Sequence, residues 1–105
     1  MEENLNFGEA LEAVKLGKMI TRTGWNGKDL FVFKQVPASI PKDVVPKMQS
    51  LPESVKNEFQ KRFDSGNLDF IYYTDQLALV GPNNFISSWA PSVSDSLAED
   101  WCILQ

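Results

Sequence analysis

A chain of 105 residues, 43% apolar and 23% charged, has the size and balance of one globular domain, in which about two-thirds of the unfolded surface becomes buried. Its formal net charge of −4 disfavours broad attraction to DNA, RNA or anionic membrane surfaces. Histidine is absent, which removes the usual general base at neutral pH, the commonest zinc ligand and every triad that needs imidazole. The one cysteine, Cys102, allows neither an intrachain disulfide nor a thiolate metal cluster and fits a reducing setting. No run approaches the roughly 18 apolar residues that a membrane span needs, and Met1-Glu2-Glu3-Asn4 has neither a basic region nor an apolar run. The expectation is a cytosolic protein of one ligand-binding domain over residues 1–105, with no metal and no cofactor.

Asn6 followed by Glu9 is spaced to cap a helix, and Phe7, Ala10, Leu11 and Val14 then form an apolar stripe at helical spacing. Gly17 is placed to end it. Met19 to Thr23 alternates like a half-buried strand and runs into the turn-rich Gly24-Trp25-Asn26-Gly27; Leu30 to Val36 follows as a second strand. From about 37 to 66, Pro37, Pro41, Pro46 and Pro52 interrupt any continuous sheet element. Within this insertion Ser50 and Glu53 are spaced as a capping box, with Leu51, Val55, Phe59 and Phe63 marking an amphipathic helix that ends near Gly66. Phe70–Tyr73 and Leu77–Val80 read as a hairpin, Phe85 and Ile86 as extended, Ser94 to Glu99 as a short helical turn and Trp101–Leu104 as a closing buried strand. The fold class is α+β: an N-terminal helix packed on a small antiparallel β-sheet, with a helical insertion in mid-chain.

Fourteen carboxylates leave room for a paired acid and base, but no spacing brings two together. Glu99 and Asp100 are adjacent, and neighbours in extended structure point to opposite faces. No phosphate-binding loop, dinucleotide glycine pattern, nucleophile elbow or metal-ligand spacing is present, so the sequence offers no catalytic residue. The Thr23-Gly24-Trp25-Asn26-Gly27-Lys28 segment combines a flat aromatic, an amide, two glycines and a cation in one turn. A Trp face there can stack on a base, the Asn amide can read a base edge or ribose, and Arg22 and Lys28 can neutralise a phosphate. The same Trp25 can equally serve as a cover over the end of the core. Trp89 is open to either role, whereas Phe7 falls to the core by default.

These blocks, Phe7-Gly8-Glu9-Ala10-Leu11, Gly17-Lys18, Arg22 to Lys28, then Trp89, Pro91, Ser92 and Asp95 to Trp101, resemble the second type of Thoeris anti-defence protein, small phage proteins formerly known only as a domain of unknown function. The resemblance covers both ends of the chain and leaves about 37–66 without a counterpart. It implies a non-catalytic sponge that withholds a TIR-derived cyclic ADP-ribose isomer from a defence effector in the cytoplasm of the infected bacterial host. It further implies a homotetramer with pockets between subunits, and cyclic dinucleotides as a second ligand class. By motif position, Trp25 would stack on the base, with Gly24 in the same turn. Thr23 and Asn26 would hydrogen-bond the ligand, Arg22 or Lys28 would meet phosphate, and Phe7, Trp89, Ser92 and Asp95 would supply other walls. Two alternatives stand beside it: a cyclic-nucleotide-cleaving enzyme and a host-protein interaction module.

Overall fold

Helix α1 (Phe7–Lys15) begins where the Asn6–Glu9 spacing predicts. The Asn6 side chain accepts from the Glu9 N–H at 2.8 Å and the Glu9 carboxylate accepts from the Asn6 N–H at 3.0 Å, so two orphan donors are satisfied reciprocally. Gly17 takes a φ of +91°, which lets the Lys18 N–H reach back to the Ala13 carbonyl at 3.2 Å and stops the helix. Ala10, Ala13 and Val14 form its buried face.

The computed structural model describes residues 2–25, 29–66 and 68–104. Among them the strands are β1 (Glu2–Leu5), β2 (Met19–Arg22), β3 (Phe31–Gln35), β4 (Ala38–Pro41), β5 (Phe70–Tyr73), β6 (Gln76–Val80), β7 (Ile86–Ser88) and β8 (Trp101–Leu104). Two further helices are α2 (Glu53–Asp64) and α3 (Val93–Leu97). None of the described helices is long and apolar enough to cross a membrane. The chain divides into two compact units, Met1–Val36 with Asp75–Gln105, and Pro37–Thr74.

The first unit carries an antiparallel sheet in the order β1-β8-β2-β3-β6-β7, with α1 against it. Ile20 lies opposite both Val32 and Ile103, and these three side chains, with Trp101, close the core beneath the small residues of α1. The α+β class therefore holds, with the N-terminal helix on an antiparallel sheet as expected. Trp101 is fully buried at the start of β8, also as expected.

The second unit is a two-stranded ribbon, β4 with β5, and α2. Its core is Val45, Phe63 and Ile71, with Leu51 and Phe59 packed against them. Two local expectations fail here. The runs at 70–73 and 77–80 do not pair with each other: β5 pairs with β4, while β6 pairs with β3 from Phe31↔Val80 to Gln35↔Gln76. Thr74-Asp75-Gln76 lacks the Gly or Asn that a tight hairpin turn demands, and the β3–β6 hairpin instead takes the whole 37–74 unit as its connection. Nor does Ser50 cap α2. A helix starting there would put Leu51, the residue before Pro52, in the α region that the proline ring disfavours. Pro52, at ψ 154°, becomes the cap residue, with no side-chain hydrogen bond.

Candidate ligand-binding site

Strand β2 ends at Arg22, and the chain turns through a single 3-10 turn at Thr23–Trp25. The β2–β8 register puts Arg22 opposite Trp101, which brings Asp100 beside the turn. The Arg22 guanidinium donates from Nε to Asp100 at 2.9 Å and from Nη1 to Asp95 at 2.8 Å. The other Asp100 oxygen accepts from the Gly24 N–H at 2.7 Å, and the Thr23 N–H donates to the Asp100 carbonyl at 3.0 Å. A Cβ on Gly24 would lie 2.8 Å from that carboxylate oxygen, so this close approach requires glycine.

Asp95 is buried at the first turn of α3. It forms a capping box with Ser92, and its carbonyl accepts from the Trp101 Nε1–H at 2.9 Å. Burial alone would push the Asp95 carboxyl up, but the bonds from Ser92 and Arg22 outweigh it and hold it below the ordinary aspartate range. The Arg22 hydrogen bond, helped by the Gly24 N–H, likewise holds Asp100 below that range, and Asp100 in turn raises Arg22. One cation is thus shared by two carboxylates at the root of the turn.

Above this clasp lie four aromatic rings. Trp25 meets Trp101 edge-on at 5.4 Å and Trp89 at 6.5 Å; Phe7 lies 5.4 Å from Trp101 and 6.3 Å from Trp89. The Arg22 guanidinium carbon sits 6.0 Å from the Trp101 ring centre. The half-buried Trp25 is therefore anchored in the core cluster while also lining a cleft of about 600 Å³. That volume falls in the range that accepts a small organic ligand. Thr23, Asp29, Phe31, Asn84 and Cys102 line it together with Trp25, and Arg22 borders it. The Thr21 hydroxyl donates to the Leu30 carbonyl at 2.7 Å and pins the return of the chain after the turn.

Of the residues expected at a site, Arg22, Thr23 and Trp25 meet at this cleft. Phe7 and Trp89 stand in the aromatic cluster against which Trp25 packs, Ser92 and Asp95 build the cap of α3, and Gly24 closes on Asp100. Asn26 and Lys28 lie outside the described residues. Sequence reasoning missed Asp29, Asn84 and Cys102 as lining residues and Asp100 as the partner of Arg22. Only the strand register reveals Asp100; an Asn in a Gly-Pro-Asn-Asn turn is a faint signal for Asn84.

The family described as Thoeris anti-defense 2-like domain matches residues 5–104. The chain is 35% identical over 104 residues to Thoeris anti-defense 2 of Bacillus phage SP01, an alignment spanning 99% of each chain. This coverage takes in the clasp, the aromatic cluster and the 37–74 unit alike. The chain belongs to the Thoeris anti-defense 2-like family.

Proposed function

We propose that this protein acts in phage anti-defence as a sponge: it binds a TIR-derived cyclic ADP-ribose isomer at the Trp25 cleft and releases it chemically unchanged. Membership of the Thoeris anti-defense 2-like family supports the anti-defence role. The observation that carries the ligand reading is Trp25 itself, held edge-on by two other indoles yet lining a cleft of nucleotide size. Such a ring costs little ordering entropy when a base stacks on it, which favours tight binding. A sponge needs nanomolar affinity, about −12 kcal/mol, to starve an effector. Walls from neighbouring subunits of a homotetramer would help to supply it. Self-association is supported by the exposed apolar side chains of Phe85, Ile86, Val93 and Leu97 in the sheet unit. A cyclic dinucleotide, if bound, would have a separate cavity of about 510 Å³ in the 37–74 unit, lined by Phe59, Arg62 and Tyr72 among others. The protein works in the cytoplasm of the infected host, where the signal is made, without catalysis.

The test is to mix the protein with cyclic ADP-ribose isomers, remove free ligand, denature and identify what is released. Intact ligand supports sequestration, and a new product refutes it. Trp25→Ala is expected to weaken binding by at least tenfold, in line with a stacking contribution of about 1–3 kcal/mol, as read by calorimetric titration.

A further inference from the structure

The polar groups of the cleft do not suit a phosphate on the described side. Arg22 bonds two carboxylates at once, so the clasp of Arg22, Asp95 and Asp100 carries a net negative charge. Asp29 adds another carboxylate to the lining. Asp29 and Asn84 are also two of the three described non-glycine residues at positive φ, at +55° and +63°. The left-handed backbone is a modest cost that aspartate and asparagine bear best, and here both stand at one cleft. An ionised carboxylate accepts hydrogen bonds and donates none, while a carboxamide does both. Asp29 therefore calls for a donor, while Asn84 can pair with a donor or an acceptor; a ribose hydroxyl, which is both, satisfies the two, and an acidic residue plays this role toward ribose in dinucleotide-binding folds.

We infer that Asp29 and Asn84 are specificity-determining residues that hold the ribose hydroxyls of the ligand beside Trp25, leaving Arg22 to position the turn. This rests on the cyclic-nucleotide reading above. Phosphate then lies away from Asp29, since a carboxylate at that wall would repel it.

Glycine tolerates a positive φ, so Asp29→Gly and Asn84→Gly delete the side chains and leave the backbone conformation intact. Asp29→Asn keeps one acceptor oxygen, loses the charge and replaces the other oxygen with an N–H donor. Titration with cyclic ADP-ribose is expected to show a loss of about 10- to 100-fold for Asp29→Gly, the fold-change of one charge-assisted hydrogen bond. Asn84→Gly should lose about 3- to 10-fold, and Asp29→Asn should recover part of the loss. The penalty of Asp29→Gly should vanish against deoxyribose analogues of the same compound. Unliganded melting temperatures of Asp29→Asn and the wild type should coincide. Unchanged or tighter binding by Asp29→Gly, or an equal penalty on the deoxyribose analogues, overturns the inference and leaves the sponge standing. A wild-type protein that takes up no cyclic nucleotide brings down both.

Discussion

In the sheet unit seven buried residues from one helix and three strands form a continuous core, and the charged groups nearest to it are tied to one another. Among its described residues the 37–74 unit has three buried apolar side chains, and two of its ion pairs, Lys42–Asp69 and Arg62–Glu58, stand in solvent. Because stabilisation follows apolar area removed from water, and exposed ion pairs contribute little, the second unit has the lesser means to hold itself together. The larger core is thus the one against which Trp25 packs.

The largest effect is expected from Trp101→Ala. Trp101 is fully exchanged from water, contacts three aromatic rings and donates to the Asp95 carbonyl, so its loss should cost about 3–5 kcal/mol in urea unfolding. Phe63→Ala should cost about 3 kcal/mol, but locally: hydrogen exchange should show α2, β4 and β5 losing protection while β2, β3 and β8 keep theirs. Equal loss in both units would show that they unfold as one.

A smaller effect should appear with pH. Asp95 and Asp100 have folded pKa values below their unfolded ones, so their stabilisation is complete above about pH 5 and is lost as pH falls through the depressed folded values. Thermal stability should fall as pH drops below about 5, and Asp100→Asn should flatten that decline while lowering stability at neutral pH. The smallest effect is expected from Lys42→Gln. Its partner Asp69 is exposed and the pair spans 3.4 Å, so the change should stay within about 0.5 kcal/mol in urea unfolding at neutral pH.

Much of the scaffold was legible because its signals are local. The Asn6–Glu9 box, the Gly17 stop and the periodic stripe of α1 each depend on residues within four positions, and the alternation of β2 and the burial of Trp101 follow from side-chain type. The hairpin reading of 70–80 failed because two β-prone runs carry no mark of which partner each will choose. β1 was missed because Glu2–Leu5 is largely exposed and lacks a strand-like apolar pattern. At the site, Trp25 and Thr23 were legible from the composition of the turn. Arg22 was legible as a cation but not as one already engaged.

The amino-acid sequence by itself determined where α1 begins and ends, that Trp101 is buried and that the sheet strands are interrupted from Pro37, since these follow from capping, periodicity and proline sterics over a few neighbouring residues. Tertiary structure alone decided that Arg22 meets Asp95 and Asp100, 73 and 78 positions away, and that Asp29 and Asn84 share a cleft with Trp25. Those encounters depend on the register of β2 against β8 and of β3 against β6. Such register is fixed by the fit of whole side-chain sets into one core and leaves no trace in the residues it brings together.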